Sequence, residues 1–597
     1  LILAALMGTA AVGLAEPQIA PPGPDDKIVV TANALPVPFE NLSRTVTVLT
    51  REDISHLPVR SLAEVLTYTA SLDVQARAPF GIQADLSIRG SSYAQLLILV
   101  DGIRINDSQT AHHNADFPVQ LQDVERIEIL HGAGSALYGA DALAGIINII
   151  TRRPENQLRA SVSGGQFGLI GGSIGWGAVK GRLSQSLSVA ADRSSGFQFD
   201  RDFRTAAISS RVVFGARSSF YFSFVDKEFG ANGFYGPAPS REWTNQTFMI
   251  WKQSLGGSST PKAEMQAWYR THGDRFLYDI RTPDRYDNRH RTHAAGFQIS
   301  SHWHLAPALD LSLGSEFGAD AIASTNLGDH SIARMSFFGE LQWKLARQGT
   351  LYSGLRFDGY SSFGSSASPS ISTHWRVNPL IRLRASLARA FRVPTFTELY
   401  YRDPNNQADP SIKPESAWSL EGAADFVPAQ NWLASATVFV RRERNAIDWM
   451  RLSSAENWRT ANIRRLATPG VEIGLDRVFK TGEHLSLHYT WLQSKSGAPV
   501  YNSKYALNYI RHSLAIAGDA PLFCGVAIHP ALRYRRRADG HDYWLLDAAL
   551  TRRFGLFTAG VNFSNLLDSQ YQEIAGVDMP GRWIAAELKF DLLRKSK

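Results

Sequence analysis

From Leu158 onward apolar and polar residues alternate with a period of two, across most of a 597-residue chain. Phe220, Phe222 and Phe224 alternate with Tyr221, Ser223 and Val225. Ile381, Leu383, Ala385 and Leu387 alternate with Arg382, Arg384, Ser386 and Ala388, and Leu485, Leu487, Tyr489 and Trp491 with Ser486, His488 and Thr490. Side chains on an extended strand point alternately to opposite faces, so this pattern writes strands with one apolar and one mostly polar face. Sustained helical periodicity is nearly absent there. The period does not say which face is dry. A water-soluble sandwich hides the apolar face in a core, whereas an outer-membrane barrel turns it to lipid and lines its lumen with the polar one.

Three features favour a barrel. The strand-rich region, residues 154–597, is too long for one sandwich and suits about 22 antiparallel strands at roughly 20 residues per strand and connection. Trp418, Trp432, Trp449, Trp458, Trp544 and Trp583 sit near strand ends, as interfacial girdles require. Short turns alternate with longer polar loops, such as Gly230 to Trp243, Tyr278 to His290 and Tyr400 to Ser411. Closure also removes the sheet edges that lipid does not tolerate.

The first 15 residues form an apolar, small-residue run ending Gly13-Leu14-Ala15, followed by Glu16 and a proline cluster. They read as the back half of a signal peptide whose basic start precedes Leu1. A membrane-anchoring helix would need roughly twenty apolar residues. Residues 16–33 form a flexible leash. Within it Asp26, Lys27, Ile28, Val29, Val30, Thr31 and Ala32 read either as an ordinary strand start or as a docking strand that adds itself to a partner's sheet edge.

Residues 34–153 have a different grammar and form a compact α+β domain. Thr45 to Leu49, Leu86 to Ile88, Leu96 to Val100 and Val124 to Leu130 are predicted strands. Ser61-Leu62-Ala63-Glu64 has capping-box spacing ahead of a short helix, and a second helix is predicted over Ala136 to Ala144. The net charge of +7 is dispersed and forms no basic block of the kind nucleic acid requires. The single cysteine, Cys524, leaves no internal disulfide to form. No acid–base pair, zinc ligand set or nucleophile elbow points to an enzyme. Gly132-Ala133-Gly134 fails as a dinucleotide turn, because Leu137 stands where the third glycine belongs.

More specific motifs run through both regions. In the first are Leu86-Ser87-Ile88-Arg89-Gly90, then Leu99-Val100-Asp101-Gly102 continuing to Asn106, and Val124 to Leu130 leading into Gly132, Tyr138 and Gly139. In the second are Phe391-Arg392-Val393-Pro394, Ile412-Lys413-Pro414-Glu415, Gly470-Val471-Glu472 and Asn565-Leu566-Leu567-Asp568. With these the chain resembles the TonB-dependent outer-membrane receptors along nearly all its length, and most of all their cobalamin receptor branch. The resemblance implies a plug inside a 22-stranded barrel in the bacterial outer membrane, a monomer, no required cofactor, and transport energised through TonB. It makes residues 26–32 the TonB box. Two positions depart from the family pattern: His131 and Ala133 replace a usual arginine and proline, and a tail follows the terminal aromatic Phe590.

The resemblance also places candidates for ligand contact. The loop from Arg77 to Gln83 and the segment His112-His113-Asn114 would face the outer vestibule from the plug. Phe234 and Tyr235 would do so from a barrel loop, where exposed aromatic rings suit a flat macrocycle. Adjacent histidines on extended chain point apart, so His112 and His113 are not expected to share a metal. Asp192, Asp200 and Asp202 fall where cobalamin receptors carry a calcium loop, although calcium wants six to eight oxygens. The expected cargo is cobalamin, with a ferric siderophore as the alternative; a passive porin or adhesin is the rival from another class.

Overall fold

The computed structural model describes residues 29–30, 37–256, 262–346, 348–429, 431–496 and 502–593. The signal-peptide segment 1–15 and Asp26, Lys27, Ile28, Thr31 and Ala32 lie outside the described residues. Val29–Val30 is described, and it pairs antiparallel with Val37–Pro38.

Strands from Gln157–Gly165 round to Trp583–Asp591 close into a 22-strand antiparallel barrel. The first and last strands seal it, from Arg159 opposite Asp591 to Gly165 opposite Ala585. The closing strand thus runs one residue past Phe590, which pairs with Ala160 and Phe557. Among the described residues no helix is long and apolar enough to cross a membrane.

The barrel wall is inside out relative to a soluble protein. On the strand Gly349–Tyr360, Leu355 and Phe357 are 43% and 54% exposed, whereas the intervening Arg356 and the next residue Asp358 are each 1% exposed. Across the ladder Phe337 faces Phe357 and is likewise exposed, beside the buried Ser336. An apolar outer face around a charged interior is the signature of a wall that meets lipid. Trp176, Trp251, Trp303, Trp343 and Trp375 are exposed on this face, each three or four residues before the end of its strand. They form one girdle. Of the tryptophans expected to do so, Trp418 and Trp544 are exposed, but Trp449 and Trp583 turn inward and are buried. Position near a strand end does not fix the face.

The plug fills the lumen. Its five-stranded sheet runs, in spatial order, Val46–Thr50, Val124–His131, Gly145–Thr151, Leu96–Val100 and Ile103–Arg104, beside a hairpin of Leu72–Ala76 and Ala84–Ile88. Helices Arg51–His56 and Leu62–Leu66 both begin with complete capping boxes, Thr50 with Asp53 and Ser61 with Glu64, which satisfy amide donors that a first turn leaves free. Leu62, Val65 and Leu66 enter the core with Ile88, Ile98, Val100, Ile127 and Ile147. That core continues into Tyr221, Phe248, Ile250 and Trp268 of the wall. The helix expected over Ala136 to Ala144 is confined to Ser135–Tyr138. Gly139 stops it with φ of +75°, and a Cβ there would sit 3.0 Å from the Arg356 guanidinium.

Candidate functional site

Long loops cluster at one mouth of the barrel, and there the plug's hairpin tip, Arg77 to Gln83, docks by its apolar side. Phe80 packs against Phe203 and, edge-on, against Trp583, with ring centroids 5.5 and 4.9 Å away. That fixes the polar side of the tip beside the plug segment Ala111–His113 and the barrel loop carrying Tyr235.

A chain of hydrogen bonds results. Arg77 donates to Asp85 at 2.9 Å, both side chains being buried. The other oxygen of Asp85 lies 2.7 Å from His112 Nδ1, and His112 Nε2 lies 3.2 Å from the Tyr93 hydroxyl. Burial alone would push the Asp85 carboxyl up, yet Arg77 and then His112 hold it down at about 2. Burial lowers the His112 imidazole below its ordinary value despite Asp85. Neutral His112 beside ionised Asp85 must carry its proton on Nδ1, which leaves Nε2 to accept from Tyr93.

Aromatic rings surround this chain. Tyr93 stacks on His112 at 4.5 Å, Tyr505 stands edge-on to Tyr93 at 5.0 Å, and Tyr235 stands edge-on to His112 at 6.2 Å. Arg77 lies over the Tyr235 ring at 5.3 Å, and Gln83 donates to the Tyr235 hydroxyl. A small hollow, with room for about one water, opens beside Tyr93, Tyr505, Asp85 and Asn508. Next to Tyr505 in the chain, the Lys504 ammonium lies among the rings of Trp449, Trp458 and Tyr505.

The structure thus brings Arg77, Gln83, His112 and Tyr235 into one cluster. Phe234 is not part of it: it is buried under its own loop, against Arg201 and Phe229. His113 points away from His112 into a buried group with Asp116, Glu242, Asp274 and His272. The Asn114 side chain accepts from the Asp107 backbone N–H. Asp200 and Asp202 both face Arg241, but Asp192 is engaged separately by Arg60 of the plug, so the three do not form one ligand set. Sequence reasoning missed Asp85, Tyr93 and Tyr505. The signal for Asp85 was a charge on the polar side of the alternating strand Ala84–Ile88, which it shares with Ser87; Tyr505 had none.

The plug motifs fasten plug to wall. Arg89 is 2% exposed and grips Glu472 with two hydrogen bonds, of 2.8 and 2.6 Å, and Glu421 with a third of 2.6 Å, while its guanidinium lies 4.1 Å from the Phe439 ring centroid. His131 reaches the same Glu472 at 3.3 Å, so the departure from the family pattern falls directly on this ion cluster. The Ala133 carbonyl accepts from Arg44. Asp101 accepts from the Thr151 backbone and hydroxyl and from Arg211 of the wall, and its turn continues through Gly102 at φ of +82°. Gly90 and Gly132 also have positive φ, and Tyr138 packs partly buried in a small cluster with Leu97 and Tyr352.

A closed lipid-facing barrel, a folded plug ion-paired to its inner wall and an aromatic vestibule above it define a gated outer-membrane receptor. Residues 148–566 match the model of the TonB dependent receptor-like beta-barrel and residues 38–146 that of the TonB-dependent Receptor Plug Domain; the chain belongs to the TonB-dependent receptor family. It is an outer-membrane receptor and transporter, not an enzyme. It is 25% identical over 504 residues to the Vitamin B12 transporter BtuB of Photobacterium profundum, covering 79% of each chain. It is 24% identical over 554 residues to the Iron-regulated outer membrane virulence protein of Vibrio cholerae, covering 82% of this chain and 81% of that one. Among solved structures the siderophore receptor PirA from Acinetobacter baumannii superimposes with a TM-score of 0.76 at 18% identity, over 93% of this chain and 99% of that one, a likeness of fold.

Proposed function

We propose that this receptor imports cobalamin, taken up at the Tyr93–His112–Tyr235–Tyr505 floor and released by TonB acting on residues 26–32 of a monomer set in outer-membrane lipid. The observation that carries the reading is that the floor's guanidinium is already neutralised. Arg77 is spent on Asp85, and what remains is aromatic area edged by hydroxyls and amides. Such a surface suits a large, nearly neutral macrocycle rimmed with amide groups, which needs stacking area and hydrogen bonds more than countercharge. The relatives named as vitamin B12 transporters support the same reading.

A ferric siderophore is the second reading, favoured by Lys504 in its aromatic cage, a cation placed to meet an anionic chelate. Equilibrium binding of cyanocobalamin to the purified protein in detergent, with and without calcium and against a panel of ferric siderophores, separates the two. Saturable cobalamin binding that weakens about tenfold in Tyr505→Ala is the expected result. A siderophore bound while cobalamin is not would reassign the cargo to iron. A calcium-dependent change in affinity would bring Asp200 and Asp202 back as ligands.

A further inference from the structure

Beneath the vestibule floor, the plug segment that follows Asn106 presses against the wall strands Arg241–Leu255 and Lys262–Leu277. The contact is made by histidines and carboxylates. His113 Nδ1 lies 3.6 Å from Asp116 Oδ2 and 4.0 Å from Glu242 Oε1, and His272 Nε2 lies 3.1 Å from the same Asp116 oxygen. The ligand atoms of His113, Asp116 and His272 fall within 4.8 Å of one another. A tetrahedral ion bound at about 2.0–2.2 Å separates its ligand atoms by roughly 3.3–3.6 Å, so the gaps from Asp116 to the two histidines are close to those of a ligand shell, and Glu242, which groups with His113 and Asp274, completes it only by turning its carboxylate toward Asp116 and His272.

Three further observations point the same way. Each imidazole has a carboxylate near its far nitrogen: His113 Nε2 is hydrogen-bonded to Asp274 at 3.2 Å, and His272 Nδ1 lies 3.2 Å from Asp107 without a hydrogen bond. A carboxylate on the far nitrogen of a ligating histidine fixes its ring and raises its basicity. Next, Glu242 is 2% exposed, and its Oε2 atom has no hydrogen-bond partner among the described residues. A buried carboxylate oxygen left unpaired is costly, and a cation beside it removes the cost. Finally, the carboxylates Asp107, Asp116, Glu242 and Asp274 face the permanent cations Lys227, on Asp116, and Arg270, on Asp107. The surplus of negative charge matches a divalent ion.

We propose that His113, Asp116, Glu242 and His272 form a binding site for a divalent transition metal of the zinc class, which cross-links the plug to the barrel wall. Two ligands come from the plug and two from the wall, so the ion fastens the plug edge directly below His112. Two imidazole nitrogens and a small shell select against calcium, which takes six or more oxygens. The site is independent of which organic ligand occupies the vestibule.

The test uses the full chain in detergent, stripped with a chelator and titrated with zinc chloride in a calorimeter, then loaded with cobalt(II) for its visible spectrum. One equivalent should bind to the wild type with a four-coordinate cobalt spectrum, and both should vanish in His113→Gln/Glu242→Gln. Asp107→Asn, at a carboxylate that stands behind His272 and also accepts from Arg270 and Thr292, should weaken zinc about 10–100-fold without changing the stoichiometry. If the double variant loses the heat-modifiable mobility of a folded barrel, the isosteric Glu242→Gln alone carries the comparison. Wild type and Glu242→Gln binding zinc equally, with the same cobalt spectrum, would overturn the proposal. So would loss of the event in His56→Gln, which would assign the ion to the separate group of His56, Asp519 and His529.

Discussion

The barrel wall and the plug are built by opposite rules from the same amino acids. The wall turns Leu355 and Phe357 outward and buries Arg356 and Asp358, whereas the plug buries Ile98, Ile127 and Ile147. The charges that hold the two together lie between them, as in Arg89 with Glu421 and Glu472 or Arg537 with Asp73. The difference explains how a plug can be both secure and movable. A seam of ion pairs exchanges its partners for water at modest net cost once water enters, while an apolar seam of equal area would lose its full hydrophobic gain. Apolar contact between plug and wall is local: the main core takes in Tyr221, Phe248 and Trp268, smaller clusters join Leu97 to Tyr352, Ile82 to Phe203 and Leu143 to Ala388, and ion pairs fill the seam between them.

The sharpest way to separate the two regions is to disable the coupling segment alone. Val29→Pro removes a backbone donor from a segment whose pairing would carry the pull. Energised uptake should fall to the background of a strain lacking TonB, while ligand affinity of the purified receptor stays unchanged. Intact uptake would remove residues 26–32 from the mechanism.

Breaking the seam comes next in size. Arg89→Ala leaves Glu421 and Glu472 buried without their cation, at a cost of about 3–5 kcal/mol. Limited proteolysis from the periplasmic side should cut the plug far faster while the barrel keeps its heat-modifiable mobility. If plug and barrel lose stability together, the seam is not separable from the wall. On the lipid face, Leu355→Arg should cost the barrel about 2–4 kcal/mol, read from folding into lipid bilayers, with less effect on plug proteolysis.

Much of this comparison was legible in the sequence, because period two and the motifs around Arg89 and Asp101 are local. The clustering of Arg77, Gln83, His112 and Tyr235 followed from knowing which plug loops face outward. What was not legible depended on register between distant strands. His113 and His272 meet only because the plug seats against one pair of wall strands, and no spacing in the chain announces that contact. His112 and His113 do point apart, but from a 3-10 turn at Ala111–His113 and not from the extended chain expected, and the buried destination of His113 was not foreseen. The inward turn of Trp449 and Trp583 escaped because a girdle needs the right face as well as the right depth.

The smallest effect tests whether the periplasmic end of the seam responds to pH. His56 closes the helix Arg51–His56, stacks on His529 at 4.7 Å and lies 3.1 Å from Asp519 in a periplasmic turn. The hydrogen bond to Asp519 raises the imidazole above its ordinary value of 6.5, against the effect of burial, with Glu52 and Asp53 adding to the rise. A group whose pKa is higher in the folded state contributes its full stabilisation below the unfolded value and loses it as pH climbs through the folded one. The plug should therefore be held slightly more firmly at about pH 5 than at about pH 8. His56 is 37% exposed, so screening keeps the difference below about 1 kcal/mol. Plug proteolysis rates across that range should rise with pH in the wild type and be flatter in His56→Gln. Equal slopes would place the periplasmic hold on other groups, and leave Arg89 with Glu421 and Glu472 as the part of the seam whose loss the plug feels most.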